Sequence, residues 1–174
     1  MPRHLLLLRH AKSDWDTGVA EDFERPLAKR GKKDARHMGQ WMHREGLTPD
    51  YVVCSPAFRA QETGYRICKE LGISKKDIHF DRRLYEADVT ALLAVLSECP
   101  KGRNNVMLVG HNPGLAELLT WLWGEETALP EDGKLLPTAT LASLRMPKDW
   151  TRLEHGCGRM IFLTRPRSLP ADTD

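Results

Sequence analysis

Apolar positions along this chain fall into two kinds of run. Short unbroken blocks occur at residues 5–8 (LLLL), 51–54 (YVVC) and 106–109 (VMLV), each bounded by polar residues. Such blocks predict strands buried on both faces, as in a parallel sheet. Between them, apolar residues return every three or four positions, the spacing of amphipathic helices. Residues 26–45 place Leu27, Ala35, Met38 and Met42 near one stripe, with Pro26 suited to a first turn, Gly31 allowing a close approach and Gly46 as a stop. A second helix is expected from Ser55-Pro56, Ser55 as its cap, with Ala60, Gly64, Ile67 and Leu71 inward. A third strand is expected near 78–80. A helix capped by Asp88 or Thr90 should follow to about Cys99, and another should open at Asn112-Pro113. The stretches ATLASLRM (139–146) and GRMIFLTR (158–165) predict two further strands. Strands alternating with helices define the expected class: α/β, a three-layer α/β/α sandwich on a mainly parallel sheet.

Residues 125–138 have the Pro, Gly and acidic content of a surface loop, and 166–174 read as a flexible C-terminal tail. Residues 1–165 then form one domain. Formal net charge is +2, from 26 basic and 24 acidic residues, a balance that argues against a nucleic-acid partner. The basic run Lys29, Arg30, Lys32, Lys33 reads as a solvated helix face rather than a contact patch for an acidic partner. The apolar run at 5–8 is too short for a signal peptide or a membrane span. Four cysteines at 54, 68, 99 and 157 show no tight spacing, so reduced thiols in a cytoplasmic protein are expected.

The chemistry lies where the apolar blocks stop. The first strand delivers Arg9 and His10 into a polar loop, the fourth delivers His111, and the helix after the second carries Arg59 in its first turn. In a parallel sheet these carboxyl ends lie along one edge, where α/β folds bind ligands. Two histidines and two arginines suit a tetrahedral dianion, because a guanidinium presents paired donors that match phosphate oxygens. A neutral imidazole can attack phosphorus, while a second, cationic one would stabilise the developing charge. An ester leaving group would also need a proton. Glu86, after the third strand, is the first candidate donor, and Asp88 is the second. Trp15, Trp121 and Trp123 read as packing residues.

LLLLRHAKSDW (5–15) resembles the RHG-type signature of the histidine phosphatase (phosphoglycerate mutase-like) superfamily, with Ala11 in place of the commoner glycine. The resemblance continues through RPLAKRG (25–31), CSPAFRAQET (54–63), LYEA (84–87) and LVGHNPGL (108–115), in the family's order. The last two forms and the short length are similar to the SixA-like phosphohistidine phosphatase branch. The resemblance implies a phosphoglycerate mutase-like fold and a phosphohistidine intermediate on His10, with Arg9, Arg59 and His111 holding the phosphoryl oxygens. It also implies Ser13 as a phosphate contact, Glu86 at the proton-donor position, and neither metal nor cofactor.

The expected activity is dephosphorylation of phosphohistidine in proteins. The 48 residues between His10 and Arg59 are used by one loop, one helix and one strand, leaving an open site that suits a protein side chain. The alternative is a phosphatase for small phosphate monoesters with Glu86 as donor. More remote are a non-catalytic phosphate or phosphoprotein binding module and a metalloenzyme using His10 and His111. Two guanidinium groups would repel a cation there. A monomer is compatible with the sequence.

Overall fold

The computed structural model describes residues 2–124 and 132–171. Strands β1 (Arg3–Arg9), β2 (Tyr51–Cys54), β3 (Ile78–Phe80), β4 (Asn105–Gly110), β5 (Leu141–Met146) and β6 (Arg159–Thr164) form one sheet in the order β3-β2-β4-β1-β5-β6. The pairs β1–β4, β2–β4 and β2–β3 are parallel, while β5 runs antiparallel to both β1 and β6. The helices are α1 (Lys29–Arg44), α2 (Phe58–Glu70), α3 (Val89–Ser97) and α4 (Gly114–Trp123). This is the expected α/β sandwich.

The four leucines of β1 make the three layers visible in one strand. Leu5 and Leu7 join one hydrophobic cluster with Leu92, Leu96, Leu115 and Leu119 of α3 and α4. Leu6 and Leu8 join the other with Met38, Met42 and Ile67 of α1 and α2. None of the four is more than 3% exposed. Burial of each stabilises by roughly 1.5–3 kcal/mol, so the strand that delivers Arg9 and His10 is gripped from both sides.

Three helix starts differ from the sequence expectation. Pro26 and Leu27 precede α1 rather than open it: Leu27 bridges to Ser13, and its N–H donates to Glu62 Oε1 at 3.0 Å, which keeps the segment extended. The expected caps at Ser55 and Asn112 also fail. The helices begin at Phe58 and Gly114, because the Ser55 hydroxyl pairs with His111 and the Asn112 amide donates to the Leu136 carbonyl. Asp88 does cap α3, accepting from Ala91 N–H at 2.8 Å. Of the loop expected at 125–138, residues 125–131 lie outside the described residues, as do 172–174 of the tail. The tail's described part forms a 3-10 turn at Pro166–Ser168, and the His37 ring donates to the Pro170 carbonyl at 2.7 Å.

Candidate active site

Strands β1 and β4 are neighbours in register, Arg9 opposite Gly110, and the His10 N–H donates to the Gly110 carbonyl at 3.0 Å. From β1 the chain crosses to β2 on one side, and from β4 it crosses to β5 on the other. The strand ends therefore meet at a topological switch point, the place where such sheets open a crevice. His10 and His111 emerge there with ring centroids 5.1 Å apart.

His10 Nδ1 lies 2.7 Å from the Ala11 carbonyl oxygen. A carbonyl only accepts, so Nδ1 carries the proton and Nε2 keeps its lone pair. Burial pushes His10 down to about 3, aided by His111 and the Arg59 and Arg9 charges and opposed by the Ala11 bond. The ring is thus neutral across the physiological range, the state a nucleophile requires. Burial and the Arg59 charge push His111 down as well, to about 4. This places the second histidine in its neutral form, where the sequence expectation had it cationic. Its Nε2 lies 2.7 Å from Ser55 Oγ, and its buried Nδ1 has no protein partner.

Three guanidinium groups surround these rings. Arg9 Nη1 donates to the Leu136 carbonyl at 3.1 Å. Burial lowers the Arg9 pKa, and so does the neighbouring Arg59 charge. Arg59 is 6% exposed, and its terminal nitrogens donate to the Asp22 carbonyl at 2.8 Å and to Asp22 Oδ2 at 3.0 Å. Arg25, also buried, donates to the Ser13 hydroxyl and to Asp22 Oδ1 at 2.7 Å. Tyr85 completes the set with a 2.8 Å hydrogen bond to Asp22 Oδ2. Burial works against the Asp22 carboxylate, but bonds from Tyr85 and Arg25 and the Arg59 charge outweigh it and hold it down to about 2. Thr63 ties this arrangement to the loop after β1: its hydroxyl accepts from Ala11 N–H at 3.0 Å and donates to the Arg59 carbonyl at 2.8 Å.

The sequence model of the histidine phosphatase superfamily (branch 1) matches residues 5–93. The chain belongs to this superfamily. An uncharacterized protein of Mycobacterium tuberculosis, Rv1276c, is 32% identical over 164 residues, spanning 92% of this chain and 100% of that protein. Among solved structures, a chain assigned as phosphohistidine phosphatase SixA from Nakamurella multipartitia superposes with a TM-score of 0.81 at 25% identity, covering 95% of this chain and 97% of that one. A second, likewise assigned, from Agrobacterium tumefaciens gives 0.78 at 28% identity, covering 95% and 100%. The chain is thus a histidine phosphatase superfamily member of the SixA-like branch.

Of the residues the sequence nominates in this histidine phosphatase, Arg9, His10, Arg59 and His111 come together, and Ser13 joins them through Arg25. Glu86 does not: it is exposed, with a left-handed φ of 56°, and makes no hydrogen bond or ion pair with those residues. Arg59 pairs with Asp22, not with its helical neighbour Glu62, which bonds Leu27 instead. Asp22, Arg25, Thr63 and Tyr85 carry no role in the sequence reading, and Ser55 only that of a helix cap. Arg25 and Thr63 lie inside the two blocks RPLAKRG and CSPAFRAQET, which was the available signal. Trp15 is not a packing residue: it is 75% exposed, with the Arg25 guanidinium 3.4 Å from its ring centre. Among the described residues, no group of three or more His, Cys, Asp or Glu is placed to hold a metal, and no helix is long and apolar enough to cross a membrane. A groove of about 1150 Å³ leads away from Arg9 and Asn112, between Trp121 of α4 and the loop at Lys134 and Leu135.

Proposed function

We propose that this protein is a metal-independent phosphatase that removes phosphoryl groups from phosphohistidine in proteins through a covalent intermediate on His10. The observation that carries this reading is the 2.7 Å bond from His10 Nδ1 to the Ala11 carbonyl, which leaves the Nε2 lone pair free beside three guanidinium groups. Nε2 attacks phosphorus in line, the Nε2–P bond forms and the bond to the leaving ring breaks. Water then cleaves Nε2–P, releasing inorganic phosphate and returning neutral His10. Arg9, Arg59 and Ser13 hold the phosphoryl oxygens, and the unpartnered His111 Nδ1 supplies a further polar contact as charge builds on them.

An alkoxide leaves poorly without a proton. Glu86 is exposed and no hydrogen bond or ion pair ties it to His10, His111 or the arginines, which weighs for a leaving group that needs no strong donor. Phosphohistidine fits, because its second ring nitrogen takes a proton near neutral pH and the ring departs as neutral imidazole. The groove beside Arg9 gives a protein segment room to lie alongside the phosphorylated side chain. The four free cysteines fit a reducing compartment such as the cytoplasm.

The test mixes the protein with labelled phosphoramidate or a phosphohistidine peptide and quenches within milliseconds. Label that survives base but not acid should be trapped in the wild type and absent from His10→Ala. Label on the variant would remove His10 as nucleophile. Exhaustive chelation should leave turnover unchanged, and a loss restored by zinc would overturn metal independence.

A further inference from the structure

Arg59 and Arg25 reach the site from different elements, the first turn of α2 and the loop before α1, and both close on one carboxylate. Asp22 takes both terminal nitrogens of Arg59, one through its carbonyl and one through Oδ2, and a terminal nitrogen of Arg25 through Oδ1. The other terminal nitrogen of Arg25 goes to Ser13. What remains on each guanidinium is the Nε–H and a second N–H on each terminal nitrogen. Arg25 Nε and Arg59 Nε are both buried without a protein partner. Both guanidinium groups are thus fixed in plane by one carboxylate, and both keep donors that no protein group uses.

We propose that Asp22 is the positioning residue of the anion site, clamping Arg59 and Arg25 so that their remaining N–H donors are held ready for a tetrahedral oxyanion. This rests on the reading of the pocket as a phosphoryl site and extends it. Three cations within one pocket repel one another, and one carboxylate shared between two of them offsets part of that repulsion while fixing both planes. Tyr85, donating to Oδ2, and the Phe23 ring, 5.0 Å from Tyr85 in an edge-on contact, brace the short 3-10 turn Asp22–Glu24 that presents the carboxylate. Asp22 is no proton donor. It is ionised, and its oxygens are occupied by the two arginines and the tyrosine.

The rival role is a plug that fills the arginine forks until substrate displaces it. The two roles differ in the sign of one effect. A carboxylate near a dianion repels it, so a plug or a bystander charge predicts that Asp22→Asn binds oxyanions more tightly. A positioning role predicts weaker binding.

Tungstate binding to the full chain at pH 8, followed by calorimetry, reads this without turnover. Asp22→Asn should weaken tungstate binding about 10-fold, and Asp22→Glu, which keeps the charge, should recover to within about 3-fold of wild type. In an Arg59→Lys background, which has no fork to clamp, the same substitution should cost only about 3-fold. Tyr85→Phe, a lighter cut that leaves the ring packing, should weaken binding roughly 2-fold. Equal or tighter binding by Asp22→Asn, or a 10-fold loss that persists undiminished in the Arg59→Lys background, would overturn the role of Asp22. No tungstate binding by the wild type would instead overturn the phosphoryl-site reading beneath it.

Discussion

The two halves of the site are held in different ways. Arg9, His10 and His111 stand at the ends of β1 and β4, fixed by parallel pairing and by leucines buried on both faces of the sheet. Ser13, Trp15, Asp22 and Arg25 sit on the segment between β1 and α1, fixed mainly by one another: hydroxyl to guanidinium, guanidinium to carboxylate, guanidinium to indole. A residue at a buried strand end inherits the rigidity of the sheet. A residue in a polar network is only as rigid as its partners. On the proposed reading, bond-making belongs to the strand-held half, where sub-ångström placement matters most, and the loop-held half adds to the oxyanion contacts that Arg9 makes.

The largest effect that would break this division is at His10. His10→Ala should lower kcat on phosphohistidine peptides at least about 1000-fold with little change in tungstate affinity, since it removes the group that makes the new bond. A residual rate within tenfold of wild type would place the chemistry elsewhere. Arg25→Ala probes the other half. It should raise KM more than it lowers kcat, with kcat/KM down roughly 30-fold, and an effect confined to kcat would join the two halves into one.

A third probe is pH. Because His10 and His111 have folded-state values of about 3 and about 4 against an ordinary 6.5, the unfolded chain binds more protons between those limits. Stability from these two rings is therefore complete above pH 6.5 and lost as pH falls toward 4. At pH 5 the loss is on the order of 2 kcal/mol for each ring. His10→Asn should flatten the drop in urea midpoint between pH 7 and pH 5, and an unchanged slope would mean that His10 is not buried neutral. The smallest effect expected is at Glu86: Glu86→Gln should change kcat/KM for phosphohistidine by less than about 2-fold. A large loss there would restore it as a proton donor and favour ester substrates.

Legibility followed the same division. The strand-held half could be read directly, because an apolar block ending in Arg9-His10, and another ending in His111, announces buried strands with polar ends. Arg59 was legible one step removed, from its place in the first turn of a helix after such a strand. The loop-held half was legible only in part: Ser13 was nominated and Arg25 opens the RPLAKRG block, but Asp22 was not marked. In EDFER (21–25), Asp22 looks like any exposed charge, and nothing local marks that Arg59, 37 residues away, will come to share its carboxylate. Trp15 misled for the same reason, since its partner is a buried guanidinium rather than a core. Glu86 is where the sequence decides least: it follows Tyr85 at the site, but it is exposed and left-handed, and no hydrogen bond fixes its side chain against the four nominated residues.

The α1 surface gives a last consequence. Along its exposed run of lysines and arginines, Gly31 lies against the Lys12 carbonyl oxygen, 2.1 Å from where a Cβ would stand. That carbonyl also accepts from Ala28 N–H at 2.9 Å and belongs to the second residue after His10. In a scan of every position for surviving activity, Lys29, Arg30, Lys32 and Lys33 should accept nearly any replacement. Gly31, amid them, should reject even alanine. A stretch that looks permissive on the outside thus contains one position under the same selection as the nucleophile.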